Sequence, residues 1–311
     1  MKAITSSKIL IPVDGSDRSV NTVKYVARFE PFHSMKLVLL HIFSAVPEGA
    51  YDLETDHKSA RAVKGIKEWE VHQKVYIRQH MQITRQFLVK AGFHPKFVEL
   101  KTQQRKKGIA RDILYEARKG YTAVILRRRG LGVLRSLVMG SVAAKLVEKL
   151  SFIPLIIVGT KPPGTKILLA FDGSEGSMRA VDFVGSTLGN FDFNVVLIHV
   201  IRGKDDNSME FRHLYTPRKF TDSSKKEMTL ALEEGKAKLV KFGFRPAMVK
   251  AEIITGAFSR AGAIASYAKQ EDFGTIVMGR RGMSRVHDFF IGRVTNKVIH
   301  LARDRTVWVI K

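Results

Sequence analysis

The chain has 311 residues, 45% of them hydrophobic, and a formal net charge of +24 at pH 7. Its length suits two ordinary domains, each large enough to bury a core. The absence of cysteine excludes disulfides, cysteine metal sites and cysteine nucleophiles. We find no apolar run long enough to span a membrane and no apolar signal segment before the first predicted strand, so we expect a cytoplasmic protein.

The positive charge is spread over both halves of the sequence. Residues 1–160 carry 28 basic and 13 acidic side chains, and residues 161–311 carry 25 and 16. Such a field attracts polyanions, which include nucleotides, nucleic acids and acidic lipid headgroups. A lineage with a basic proteome would show the same excess. Because no recognition motif accompanies the charge, we expect no specific nucleic-acid partner.

Short apolar runs alternate with helical stretches along each half. The predicted strands are 9–13, 37–42, 97–100, 123–126 and 154–158, and then 167–171, 195–200, 249–254, 275–278 and 306–310. They are rich in Val, Ile and Leu without strict alternation, which is typical of strands buried on both faces of a parallel sheet. This pattern predicts an α/β fold with two tandem open, doubly wound layers.

The segments between the strands contain helix signals, loops and one linker. A helical pattern covers 69–89 and ends at a glycine cap, and its counterpart begins at a capping box over 224–227. The polar segments 44–62 and 202–222 are predicted to be long loops. The stiff Pro-Pro-Gly stretch at 160–165 is predicted to separate a domain of residues 1–160 from a domain of residues 161–311.

Two motifs occur twice, in the same order and at nearly the same separation. Ile-Leu-Ile-Pro-Val-Asp-Gly-Ser at 9–16 returns as Ile-Leu-Leu-Ala-Phe-Asp-Gly-Ser at 167–174. A glycine-rich loop ending at Gly140 returns as one ending at Gly292. The ordered recurrence of two different motifs indicates a duplicated domain.

The chemistry of these motifs suits an anionic ligand with hydroxyl groups. Asp14 and Asp172 each follow a first strand, where open α/β sheets form their ligand crevice. A plain strand-to-helix turn capped by the carboxylate explains the same residues. In the second loop, glycines let a ligand approach the backbone, and Gly292 begins a helix whose free amides favour an anion. The loop is neither a P-loop nor a dinucleotide-binding fingerprint.

Taken together, these motifs resemble those of the universal stress protein family. The likeness rests on the two Asp-Gly-Ser turns, on strand ends His41-Ile42 and His199-Val200, and on the two glycine-rich loops. It covers nearly the whole chain, once per half. It implies a five-stranded sheet of order 3-2-1-4-5 in each repeat and pseudo-twofold symmetry, with the two last strands side by side. Some members of the family bind ATP or AMP, others bind no nucleotide, and dimers are typical.

The resemblance implies a nucleotide site in the second repeat. Asp172 matches the acid that contacts adenosine, and Val200 matches the residue whose backbone meets adenine. Arg293 stands where a small hydroxyl residue is expected, so it either binds phosphate or extends into water. The implied set is Ala170, Phe171, Asp172, Val200, Met278, Gly279, Arg281, Gly282, Gly292, Arg293, Val294 and Thr295.

The first repeat carries a weaker version of the same site. Arg127 replaces the first glycine of its loop, which adds bulk where phosphate should approach. We therefore expect the second repeat to bind nucleotide better. The implied weaker set is Pro12, Val13, Asp14, Ile42, Arg127, Gly130, Gly140, Ser141 and Val142.

The sequence therefore predicts a stress-response protein that binds ATP or AMP, with or without Mg²⁺, and acts as a regulator. We expect a homodimer of two-domain chains. A scaffold of the same fold that binds another anionic or apolar ligand is the alternative, and a slow ATPase is the third. We predict no catalytic residue and no metal ligand among the protein side chains.

Overall fold

The computed structural model describes residues 7–15, 17–43, 57–128, 139–203, 218–282 and 291–311. Strands and helices alternate in both repeats, as predicted. The first repeat contains β1 Lys8–Pro12, α1 Asp17–Arg28, β2 Lys36–Phe43, α2 His57–Lys90, β3 Val98–Gln104, α3 Ile109–Ala117, β4 Ala123–Arg127, α4 Ser141–Lys149 and β5 Leu155–Val158. The second contains β6 Lys166–Ala170, α5 Glu175–Leu188, β7 Asn194–Arg202, α6 Arg218–Lys241, β8 Val249–Ala257, α7 Arg260–Gln270, β9 Thr275–Gly279, α8 Arg293–Leu301 and β10 Thr306–Ile310.

Contacts divide the chain into two compact units. The first contains β1 to β4 and the start of α4, and the second contains residues 144–311, which include most of α4 and all of β5. In the first unit the strand order is β3-β2-β1-β4, and every described pairing is parallel.

The second unit contains a complete five-stranded layer. Its order β8-β7-β6-β9-β10 is the predicted 3-2-1-4-5 arrangement, and these strands are parallel. The added strand β5 runs antiparallel to β10, with Trp308 opposite Ile156. The two last strands therefore lie side by side, as the sequence predicted.

The core lies in the sheet, because its central strands are buried at every position. Each residue of β5, β9 and β10 is buried, which is the pattern of strands covered on both faces. Trp308 is completely buried and packs edge-on against Phe183 of α5. The predicted α/β class is thus correct.

The long helices begin earlier than the sequence patterns indicated. The first segment predicted as a loop, 44–62, overlaps α2, which begins at His57; residues 44–56 lie outside the described part. The second, 202–222, overlaps the end of β7 and the first turn of α6. The predicted capping box at 224–227 is wrong, because α6 already begins at Arg218. Both helices therefore extend beyond the part of the sequence that shows apolar periodicity.

Among the residues that the structure describes, no helix is both long and apolar enough to cross a bilayer.

Candidate functional site

The carboxyl ends of three neighbouring strands bring the predicted residues of the second repeat to one edge of the sheet. Strand β6 lies between β7 and β9, so the segment after Ala170, the end of β7 and the loop after Met278 meet there. Phe171 is buried. Its amide donates to the carbonyl oxygen of Ile198 (2.8 Å), and its own carbonyl oxygen accepts from His199 Nδ1 (2.8 Å). These contacts fix the strand end that presents Asp172.

Asp172 lies in a tight turn that leads into α5. Gly173 adopts φ +77°, a conformation that glycine reaches without steric cost. The amide and hydroxyl of Ser174 donate to Asp172 Oδ1 at 3.1 and 2.6 Å. Ser174 Oγ also accepts from the amide of Ser177 and caps the helix. The Asp172 carboxylate therefore stabilises a strand-to-helix turn, as the plain turn interpretation expects. Only its Oδ1 atom takes part in these hydrogen bonds.

The loop after β9 packs against this turn through glycines. A Cβ on Gly279 would lie 2.7 Å from the carbonyl carbon of Gly176, and a Cβ on Gly176 would lie 2.5 Å from the carbonyl oxygen of Arg281. Gly282 is exposed, and the space where its Cβ would be is taken by Asp172 Oδ2. The backbone of the loop and the Asp172 carboxylate are therefore in direct contact.

Helix α8 begins at the same place. Gly292 is its N-cap and donates from its amide to the carbonyl oxygen of Arg280 (2.8 Å). Thr295 is buried, and its hydroxyl donates to the carbonyl oxygen of Gly279 (2.9 Å). Arg293, the first helical residue, is exposed, and Val294 is half-buried. This hydrogen bond therefore holds the first turn of α8 against the end of β9.

Among the described residues of the first repeat, one contact of this arrangement recurs. His41 Nδ1 donates to the carbonyl oxygen of Val13 (2.9 Å), as His199 does in the second repeat. Burial lowers the pKa of His41; its hydrogen bond to Val13 and the nearby Asp14 oppose that change, and His80 adds to it. Ile77 of α2 fills the space above Gly15, where a Cβ would lie 2.7 Å from Ile77 Cδ1.

The other described members of the predicted set in the first repeat lie at or after the carboxyl ends of strands of that repeat. Pro12 ends β1, Ile42 is buried in β2, and half-buried Arg127 ends β4. Gly140 donates from its amide to the carbonyl oxygen of Arg128 (2.6 Å). Ser141 and Val142 begin α4, while Gly130 lies outside the described residues.

A family model for the universal stress protein family matches residues 5–159 and again 164–311. The chain belongs to the universal stress protein family. Each repeat carries one copy of the family domain.

Individual relatives agree with this assignment. A universal stress protein from Mycolicibacterium smegmatis is 25% identical over 211 residues, which cover 64% of this chain and 66% of that protein. Universal stress protein YxiE from Bacillus subtilis is 30% identical over 142 residues, 44% of this chain and 93% of its own. The crystal structure of a universal stress protein from Archaeoglobus fulgidus has a TM-score of 0.57 at 19% identity and covers 98% of both chains. That likeness concerns the fold.

Two arginines of this universal stress protein take positions that sequence reasoning missed. Arg280 is buried, and its guanidinium donates to the carbonyl oxygens of Val147 (2.8 Å), Leu150 (3.0 Å) and Glu148 (2.6 Å) at the end of α4. Burial, with a smaller contribution from Arg281, lowers the pKa of Arg280. A run of arginines in the sequence does not reveal which member turns inward.

The second missed residue, Arg260, follows the helix cap Ser259 at the start of α7. Its Nε donates to the carbonyl oxygen of Val200 (3.2 Å). The family resemblance assigns the backbone of Val200 to adenine, so Arg260 competes for one of its hydrogen-bonding groups. No periodicity or motif in the sequence pairs these two residues.

The site of the second repeat can therefore accept hydrogen bonds at Asp172 and attract an anion at the start of α8. Across the described parts of the chain, no group of three His, Asp or Glu side chains is arranged to hold a metal ion. This arrangement suits a ligand that has hydroxyl groups at one end and negative charge at the other.

Proposed function

We propose that this protein is a cytoplasmic stress-response regulator that binds an adenine nucleotide, ATP or AMP, at the carboxyl edge of its second repeat. The observation that carries the proposal is the contact between the Asp172 carboxylate and Gly282. It brings an acceptor suited to ribose hydroxyls next to a loop suited to phosphates.

The two carboxylate oxygens of Asp172 have different surroundings. Ser174 donates to Oδ1, whereas Oδ2 faces Gly282. A ribose hydroxyl would therefore bind at Oδ2, and the charge on the carboxylate would strengthen that hydrogen bond.

The phosphates would follow the loop toward α8. The first turn of α8, which follows the N-cap Gly292, offers backbone amides and the positive end of the helix dipole. Arg293 is exposed at this point, where a phosphate would give it a charge-assisted partner. A Mg²⁺ ion bound with ATP would be held mainly by the phosphates and water.

One observation favours the alternative, a scaffold of the same fold that binds another ligand. Arg260 donates to the Val200 carbonyl, so adenine would have to displace that contact or use the amide alone. An anionic ligand without a base would leave the contact intact.

Mass spectrometry of the ligand released from denatured pure protein distinguishes the two proposals. We expect ATP or AMP at up to one molecule per chain. Protein purified without nucleotide that also fails to bind ATP or AMP at millimolar concentration would establish the scaffold alternative.

A further inference from the structure

Helix α2 exposes a row of large apolar side chains. Trp69, Tyr76 and Ile83 are 56%, 55% and 66% exposed, and Phe87 is 40% exposed. Steps of seven, seven and four residues place all four on one face of a helix. We call these four residues the apolar stripe. Exposed apolar surface of this extent on a protein commonly marks an interaction site.

The apolar stripe is not the face that packs on the core. That role belongs to Met81, Thr84 and Leu88, which are buried. Gln73 and His80 fill the turns between the stripe residues, and the ring of His80 stacks on Tyr76 at 6.3 Å. The stripe and these two polar residues between its members include no Lys, Arg, Asp or Glu.

The counterpart helix in the second repeat lacks this feature. In the described side chains of α6, which begin at residue 225, Leu230 is the one large apolar residue that is exposed. The stripe is thus a property of α2 and not of the duplicated fold.

The charge around the stripe indicates an anionic occupant. Helix α2 contains eight Lys or Arg and two Glu, and the whole chain has a net charge of +24. Pairing two copies through α2 would bring like charges together, whereas a surface of acidic lipid headgroups would attract them. Nucleic acid supplies the negative charge but no apolar layer for Ile83 and Phe87.

We propose that α2 docks this protein on the surface of an anionic lipid bilayer, with the apolar stripe inserted among the headgroups. Trp and Tyr favour this layer, because their rings have an apolar body and a polar group. From Trp69 to Phe87 the stripe is about 27 Å long at 1.5 Å per residue. A helix of this kind lies in the plane of the interface and does not cross it.

The chain contains its own reporter for this contact. It has two tryptophans: Trp69 is in the stripe, and Trp308 is completely buried. A change in emission on adding vesicles therefore reports on Trp69. The vesicles are equal parts phosphatidylglycerol and phosphatidylcholine, with pure phosphatidylcholine vesicles as the lipid control.

We expect a blue shift of Trp69 emission with the anionic vesicles, quenching by brominated acyl chains, and weaker binding at high salt. The double variant Ile83→Ser with Phe87→Ser should bind about tenfold more weakly or worse, since each side chain loses its apolar transfer free energy. The matched control Leu230→Ser removes one exposed apolar residue from α6 and should bind like wild type.

Three results would overturn the proposal. The first is equal binding by wild type and the double variant. The second is equal binding to neutral and anionic vesicles. The third is an emission shift that follows protein concentration without lipid, with a dimer in light scattering that the double variant abolishes, because that result assigns the stripe to a second copy. None of these measurements depends on nucleotide binding.

Discussion

At the scale of single residues, we expect alanine substitutions at two glycines of the same loop to have different effects. We expect Gly279→Ala to lower the free energy of unfolding by about 1–3 kcal/mol, because its Cβ would meet the Gly176 backbone at 2.7 Å. In Gly282→Ala the Cβ meets only the end of the Asp172 side chain, which can rotate away. That variant should keep its stability and lose ATP affinity. Denaturant unfolding and an ATP titration check the pair, and equal loss of stability would contradict the assignment.

Arg293 gives a second prediction for a single residue. If its exposed guanidinium binds phosphate, Arg293→Ala should cost about 1.5–3 kcal/mol of ATP affinity, as a charge-assisted hydrogen bond does. The loss should be smaller for AMP, which lacks the outer phosphates. Calorimetry at one salt concentration measures both. Unchanged ATP affinity would mean that Arg293 only extends into solvent.

The sequence predicted the positions of these residues better than their contacts. Asp172, Gly279, Gly282 and Gly292 were predicted to lie together because a carboxylate after a strand and glycines in a loop have a local chemical reason, and the structure brings them to one edge of the sheet. The roles of Arg260 and Arg280 depend on carbonyl groups far away in the chain. The residues next to either arginine in the sequence do not indicate such a distant hydrogen-bond acceptor.

At the scale of elements, a buried carboxylate joins α3 to β3 and to the segment that follows the helix. Glu116 accepts from Lys101 of β3 (2.7 Å), from Lys119 (2.8 Å) and from the Tyr121 hydroxyl (2.8 Å). Burial acts to raise the pKa of Glu116, but these hydrogen bonds outweigh it and lower the pKa to about 2.

The pH dependence of stability follows from this shift. Because the folded pKa lies below the ordinary value of 4.5, the stabilisation is fully present above about pH 5 and is lost as the pH falls toward 2. Urea unfolding across this range should show a steeper loss for wild type than for Glu116→Gln. The gap between the two proteins should narrow at low pH, and parallel curves would disprove the role of Glu116.

The end of α4 supplies another prediction at this scale. Arg280 donates to three carbonyl oxygens there, which helices otherwise leave unsatisfied. Arg280→Met should speed hydrogen exchange of amides in the last turn of α4 and destabilise the protein by about 1–3 kcal/mol. Arg281→Met is the matched control and should leave that exchange unchanged. The same exchange rates in wild type and Arg280→Met would show that the contacts are not stabilising.

The element boundaries show where sequence periodicity fails. Strands were located to within a few residues because fully buried strands are continuous apolar runs. The first turns of α2 and α6 were misjudged as loops because their residues lack the apolar periodicity that marks a core-facing helix.

At the scale of the whole molecule, the duplication explains why the same family domain occurs twice along the chain. Strand β10 is paired on both edges, with β9 and with β5, so those edges are occupied within the chain. The homodimer expected from the sequence would need another surface. Light scattering tests it, and a 35 kDa particle across a range of concentrations would refute it.

The central claim is that nucleotide binds in the second repeat through Asp172. Calorimetric titration of ATP into wild type, Asp172→Ala and Asp14→Ala tests it most directly, because the two variants remove equivalent carboxylates from the two repeats. We predict a loss of about tenfold or more in affinity for Asp172→Ala, from the removal of a charge-assisted hydrogen bond, and near wild-type affinity for Asp14→Ala. The reverse ranking, or equal affinities for all three proteins, would contradict it.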